Sequence, residues 1–219
     1  MILFKRFILM LQFLTAIPIR VSLEVSSEDF GKGLMFAPVI GLIIGGIIAL
    51  TRHFLIILFP PLITTALIVV EYILLTGGLH LDGLGDTFDG LFSNRPRERM
   101  LEIMKDSRVG TNAVLAICSV ILLNFAALSN LGASDIFKAL ILFPVAGRTA
   151  TLIGASVSNY ARENGLGKSF IDFCGWREMV LGLVFCLAAF FLILRIHGLI
   201  LAAITILTSF LILKLFTRK

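Results

Sequence analysis

Residues 33–50 read GLMFAPVIGLIIGGIIAL, without one charged side chain. A run of that kind approaches the roughly 20 apolar residues with which a helix crosses a bilayer. Comparable runs recur at 61–79, 112–128, 136–156, 179–194 and 198–213, so the pattern predicts about six spans. The chain as a whole is 58% hydrophobic and 15% charged, with a mean hydropathy of +1.01, whereas a soluble domain carries roughly 25% charged residues. The expected fold class is therefore all-α, a polytopic transmembrane helix bundle in which residues 1–219 form a single integral membrane domain with no soluble module. At the N-terminus Lys5 and Arg6 precede an apolar stretch, 7–17, that lacks an A-x-A cleavage pattern before Pro18 and Arg20. It is expected to be retained and, being short for a crossing, to form an interfacial or re-entrant helix.

The net charge of +5 does not indicate nucleic acid. The basic residues sit in short segments between apolar runs, with no basic stripe or aromatic platform. Their distribution speaks instead of topology. Lys5, Arg6, Arg20, Lys32, Arg95, Arg97, Arg99, Lys105, Arg108, Arg162, Lys168, Arg177, Lys214, Arg218 and Lys219 fall on one side of the expected spans, against Arg52, Lys138 and Arg195 on the other. The positive-inside rule makes the first side cytoplasmic. An even number of spans puts both termini there, in the plasma (inner) membrane. The connections around Arg52-His53 with Pro60-Pro61, and at Arg195-Ile196-His197, read as tight turns between antiparallel helices. The long polar connections, 80–111 and 157–178, face the cytosol, so the site is sought in them. Cys118, Cys174 and Cys186 share no metal-like spacing and read as small buried apolar residues.

The most informative polar segment follows the second run: Gly77-Gly78-Leu79-His80-Leu81-Asp82-Gly83-Leu84-Gly85-Asp86-Thr87-Phe88-Asp89-Gly90. At about 100° per residue, a helix turns Asp86 roughly 40° from Asp82, and Asp89 about 20° to its other side. All three carboxylates then share one face, and their repulsion calls for a compensating cation. Oxygen ligands in an open cluster suit magnesium, which keeps waters and is completed by substrate phosphates. Asp82, Asp86 and Asp89 are the expected metal ligands. The competing bland reading is an acidic loop neutralised by Arg95, Arg97 and Arg99. His80 points about 160° from Asp82 on the same helix; it is carried as a catalytic candidate that orients the site, beside the reading of a plain interfacial histidine.

Residues 95–111 read as a short amphipathic helix, with Pro96 in its first turn, an apolar side of Met100, Leu101, Ile103 and Met104, and an acidic i,i+4 pair, Glu102 and Asp106. Beyond it, Asp106-Ser107-Arg108 brings a carboxylate and a guanidinium to the start of the next run, suited to a phosphate or a second metal. Glu71 and Arg148 fall inside expected spans, where a charge costs about 2.5 to 3.5 kcal/mol on insertion scales. Arg148 is expected either to bind an anionic group in the catalytic cavity or to pair with Glu71. The later segment from Asn159 to Lys168 offers cations and glycines for substrate or reads as a solvated loop.

At 78–91, at 99–111 and at the opening Gln12-Phe13-Leu14-Thr15, the sequence resembles the cobalamin-5'-phosphate synthase (adenosylcobinamide-GDP ribazoletransferase) family, more loosely through Gly147-Arg148 and Tyr160-Ala161-Arg162. The resemblance implies a magnesium-dependent membrane phosphotransferase of late cobamide assembly, which joins adenosylcobinamide-GDP to alpha-ribazole or its 5'-phosphate and releases GMP. It implies metal and diphosphate binding at Asp82, Asp86 and Asp89, with Asp106 a further member. The segment 77–111 is then the cytoplasmic catalytic segment. Arg108, Arg148 and Arg162 are the expected substrate cations, and Asp89 or Asp106 the general base. It also implies a Gly-rich, G-G-x-T-G-D-like segment after the last span, where this sequence stops at Phe216-Thr217-Arg218-Lys219. A homo-oligomer is compatible with all of this.

Two rival functions are weighed. A CDP-alcohol-type phosphotransferase also uses an aspartate-rich helix, but its D-G-x2-A-R pattern meets Asp86 where the arginine should stand. A cation transporter would keep its carboxylates near the bilayer midplane, often in paired inverted repeats. Here the cluster stands at a span boundary and no such repeat is evident.

Overall fold

The computed structural model describes residues 1–162 and 165–216. Glu163 and Asn164 of the expected substrate segment, and Arg218 and Lys219 of the expected cytoplasmic charge set, lie outside the described residues. Within them the chain is helical, with no strand. In order it forms α1 (Ile2–Leu14), α2 (Ser27–Gly33), a 3-10 turn (Leu34–Phe36), α3 (Ala37–Leu58), α4 (Pro61–Leu75), α5 (Leu79–Leu91), α6 (Arg97–Ile103), α7 (Thr111–Ser129), α8 (Ala133–Val157), α9 (Leu166–Phe173) and α10 (Trp176–Phe216). Four stretches are long and apolar enough to cross a membrane: Ser27–Leu58, Thr111–Ser129, Ala133–Val157 and Trp176–Phe216. The pair α4 and α5, bent by 85°, makes a fifth if counted together.

Two boundaries depart from the sequence reading and a third agrees with it. Arg52 and His53, expected in a turn, lie inside α3, which continues to Leu58. What ends it is the proline pair: Pro60 has no N–H to extend the ladder, and Pro61 opens α4 from its first position. The span expected at 61–79 closes at Leu75, because Gly77 and Gly78 take positive φ of 61° and 68° and turn the chain into α5. The boundary that agrees is in α10, whose 41 residues would reach about 60 Å if straight, twice the bilayer core. Arg195, at φ 56° and ψ −136°, breaks it. Beyond that break Gly198 abuts the Phe190 carbonyl, and Ala202 joins Cys186, Ala189 and Phe190 in one buried cluster. The tight turn expected at Arg195-Ile196-His197 is present.

By their contacts the described residues group into two compact units: Met1–Leu50 with those from Ala133 onward, and Thr51–Gly132. In the first, α8 packs along α10, and α3 meets α8 so closely that a Cβ at Gly41 would stand 2.6 Å from the Pro144 carbonyl oxygen. Small residues four apart let two helix backbones touch where lipid gives no hydrophobic drive to associate. The N-terminal helix expected at 7–17 begins and ends earlier, as α1, and buries Leu9, Met10 and Leu14. Lys5 and Arg6 fasten it to Asp29 of α2 at 2.7 and 3.2 Å. In the segment read as a polar connection, α9 packs on α2, and Phe170 meets Phe13 and Phe30 with ring centroids 5.1 and 5.7 Å apart.

In the second unit α5 packs on α7 and α6, and α4 on α7. Glu71 on α4 accepts a hydrogen bond from Thr51 Oγ1 at 2.7 Å. Cys174 and Cys186 are buried as expected, but Cys118 is exposed, because α7 buries only the face carrying Ala113 and Ala116.

Candidate active site

The helix α5 carries the aspartate spacing as expected. Asp82, Gly85, Asp86 and Asp89, at i, i+3, i+4 and i+7, line one cleft of about 320 Å³ in the second unit. Its other walls are Met104 to Val109, between α6 and α7, and Ala113 and Ile117 of α7. A larger groove of about 420 Å³ in the first unit runs between α8 and the end of α10, but among the described residues no titratable side chain lines it. Chemistry therefore points to the smaller one.

The three carboxylates share the cleft without converging. Among the described residues no three His, Cys, Asp or Glu side chains stand together as a ready metal cage. Asp82 is exposed and Asp86 half-exposed on the cleft side of α5. Asp89 is committed elsewhere: its Oδ2 accepts from Gly110 N–H at 2.7 Å and its Oδ1 from Ala113 N–H at 2.9 Å. The donor chemistry fits magnesium all the same, because that ion is commonly held by one or two carboxylates, with waters and substrate phosphates completing it.

Asp106 and Arg108 meet as their spacing suggests. The Arg108 guanidinium embraces the carboxylate, Nε reaching Oδ1 at 3.0 Å and Oδ2 at 3.1 Å, while Nη2 donates to Oδ2 at 2.5 Å. That pairing holds the Asp106 carboxyl down to about 2 and raises the Arg108 pKa. The amphipathic helix is shorter than expected and starts after Pro96, which caps it. The acidic pair Glu102 and Asp106 does not form, since Asp106 lies beyond the helix end and Glu102 pairs with Arg99.

Other sequence candidates are placed elsewhere. His80 is exposed near the start of α5 and does not line the cleft. Arg148 and Arg162 belong to the first unit and are not among the cleft residues. Arg148 is 1% exposed, and its Nη2 donates to the Leu14 carbonyl at 3.2 Å, tying α8 to the end of α1. Lys105 and Ser107, passed over as site residues, do line the cleft. Their signal was adjacency to Asp106: a turn between two helices presents successive residues to the same space.

The cobalamin-5-phosphate synthase family model matches residues 6–219. A protein of Acetivibrio thermocellus named adenosylcobinamide-GDP ribazoletransferase is 56% identical over 98% of this chain and 87% of its own length. Proteins of the same name from Clostridium acetobutylicum and Caldanaerobacter subterraneus subsp. tengcongensis are 52% and 39% identical, over 99% and 98% of this chain and 86% and 88% of theirs. No solved structure matches the chain. With a family model covering almost its whole length and relatives this similar, the chain belongs to the cobalamin-5-phosphate synthase family.

Proposed function

We propose that the chain is a membrane-embedded adenosylcobinamide-GDP ribazoletransferase. It joins adenosylcobinamide-GDP to alpha-ribazole, or to its 5'-phosphate, and releases GMP. The observation that carries this reading beyond the family name is the cleft of α5, in which an exposed carboxylate face and a cationic wall, Lys105 with Arg108, line the same space.

Asp82 and Asp86 would hold magnesium, which supplies charge neutralisation at the diphosphate being split. Lys105 and Arg108 share the remaining phosphate charge, Arg108 offering a rigid planar fork that Asp106 orients. A ribazole hydroxyl attacks the phosphorus bonded to the cobinamide side. The phosphorus–oxygen bond to GMP breaks, GMP leaves with the bridging oxygen, and the hydroxyl proton passes to a carboxylate or water in the cleft. The catalytic gain is mainly positioning and charge stabilisation. Neither Asp89 nor Asp106 is assigned that proton: both oxygens of Asp89 are engaged by backbone amides and both of Asp106 by Arg108, and a carboxyl held near 2 is a weak base. We place the chain in the plasma membrane, and the excess of Lys and Arg on one side of the spans supports an orientation with the cleft and both termini cytoplasmic.

The test is GMP release by the full chain in lipid, given adenosylcobinamide-GDP with and without alpha-ribazole and with and without magnesium. Release that needs both supports the reading. CMP release from a liponucleotide, or metal-dependent ion flux in sealed vesicles with no nucleotide present, would replace it with one of the rivals.

A further inference from the structure

The start of α7 has no cap of its own. Its N-cap is Gly110, which has no side chain to accept the N–H groups that a helix leaves orphaned in its first turn. Asp89 supplies the missing cap from another helix, across 21 and 24 residues of sequence, with one oxygen on Gly110 N–H and the other on Ala113 N–H. A carboxylate is also the group that the positive end of a helix dipole favours. Gly110 is shaped to this contact: a Cβ there would stand 2.5 Å from Asp89 Oδ1 and 2.7 Å from Oδ2.

We propose that Asp89 is a positioning residue rather than a third metal ligand or the base. Its carboxylate clamps the start of α7 to α5 and so fixes the 105–109 segment in the cleft. The inference rests on the transferase reading and refines it. Arg108, two residues before Gly110, has no helix to hold it and is 87% exposed. Its placement therefore depends on where Gly110 is anchored. Asp82 lies on the same helix as Asp89, seven residues and roughly 10 Å along its axis. Anchoring at Asp89 thus sets how far the cationic wall stands from the metal-binding face. Drawing Asp89 onto an ion would strip both amides of their acceptor, whereas magnesium needs no third carboxylate.

The experiment compares the full chain in lipid with Asp89→Ala, Asp89→Asn and Gly110→Ala. Gly110→Ala keeps the carboxylate but crowds it out of its place, so it separates loss of the clamp from loss of a ligand. Three readouts are taken: amide hydrogen exchange across 110–113 with no metal or substrate, Mn2+ titration followed by electron paramagnetic resonance, and steady-state GMP release. The expected result is exchange raised about tenfold or more in Asp89→Ala and Gly110→Ala, kcat lowered about tenfold or more, and half-saturating Mn2+ within about twofold of the unaltered chain. Asp89→Asn, which keeps one acceptor, should fall between. Half-saturating Mn2+ raised about tenfold in Asp89→Ala with exchange unchanged would overturn the proposal in favour of a metal ligand. Unaltered exchange and kcat in Gly110→Ala would overturn it as well. If the unaltered chain releases no GMP, the transferase reading fails, while exchange and Mn2+ binding still judge the clamp.

Discussion

Charge is handled in opposite ways by the two units. In the first, Asp29 is 7% and Arg148 1% exposed, and each is spent on holding helices together, Asp29 on Lys5 and Arg6, Arg148 on the Leu14 carbonyl. In the second, Asp82 is exposed, Asp86 half-buried, and Arg108 stands in the open, paired with Asp106. Asp29 is paired and hydrogen-bonded, as a buried charge must be to be tolerated, and a group so satisfied has little left for a ligand. The contrast separates charges that build the protein from charges presented to a cleft. Asp89 sits on the dividing line, lining the cleft while holding two backbone amides.

Exchanging the two kinds of charge should break that comparison in a definite order. The largest effect is expected from Asp82→Asn, which should lower GMP release at saturating magnesium by about 100-fold or more, roughly 2.7 kcal/mol of barrier, with the melting temperature in detergent unchanged. A melting shift with activity preserved would move Asp82 to the structural class. The mirror experiment is Asp29→Ala, which removes the capping box with Ser26 as well as the two ion pairs that Asp29 makes to α1. It should destabilise the fold by about 2 kcal/mol, measured by thermal or denaturant unfolding, and leave GMP release per folded molecule within about twofold. The smallest effect concerns Asp106. Its carboxyl is depressed from 3.8 to about 2, so whatever the Arg108 pair contributes is fully present above about pH 4 and lost as pH falls toward 2. Carbon NMR of labelled aspartate should find a midpoint near 2, and Arg108→Gln should return it toward 3.8. An unmoved midpoint would break the assigned pairing.

Part of this was legible in the residues and part was not. The helical aspartate face was legible because 3.6-residue periodicity is local: once α5 forms, Asp82, Asp86 and Asp89 must share a side. The meeting of Asp106 with Arg108 was legible for the same reason, being only two residues apart. The helix ends were harder to read. Hydropathy does not register where a backbone hydrogen-bond ladder stops, so Arg52 and His53 read as a turn inside what is one helix, and Gly77-Gly78 as the tail of a span. Arg148, a candidate as a charge inside an expected span, and Arg162, a cation of a polar segment, belong to the unit that does not hold the cleft. Where a cation ends up, however, depends on which helix its own helix packs against, and no periodicity carries that.

The amino-acid sequence by itself determined the solvent of the fold, its helical class, the family and the helix face on which the carboxylates stand, because each of these follows from composition or from spacing within a few turns. The tertiary structure alone decided that Asp89 caps α7, that Lys105 and Ser107 join the cleft, and that Arg148 is a buried strut. The physical reason is range: hydrogen bonds spanning 21, 24 and 134 residues arise from how helices pack, and packing is chosen by the whole chain at once.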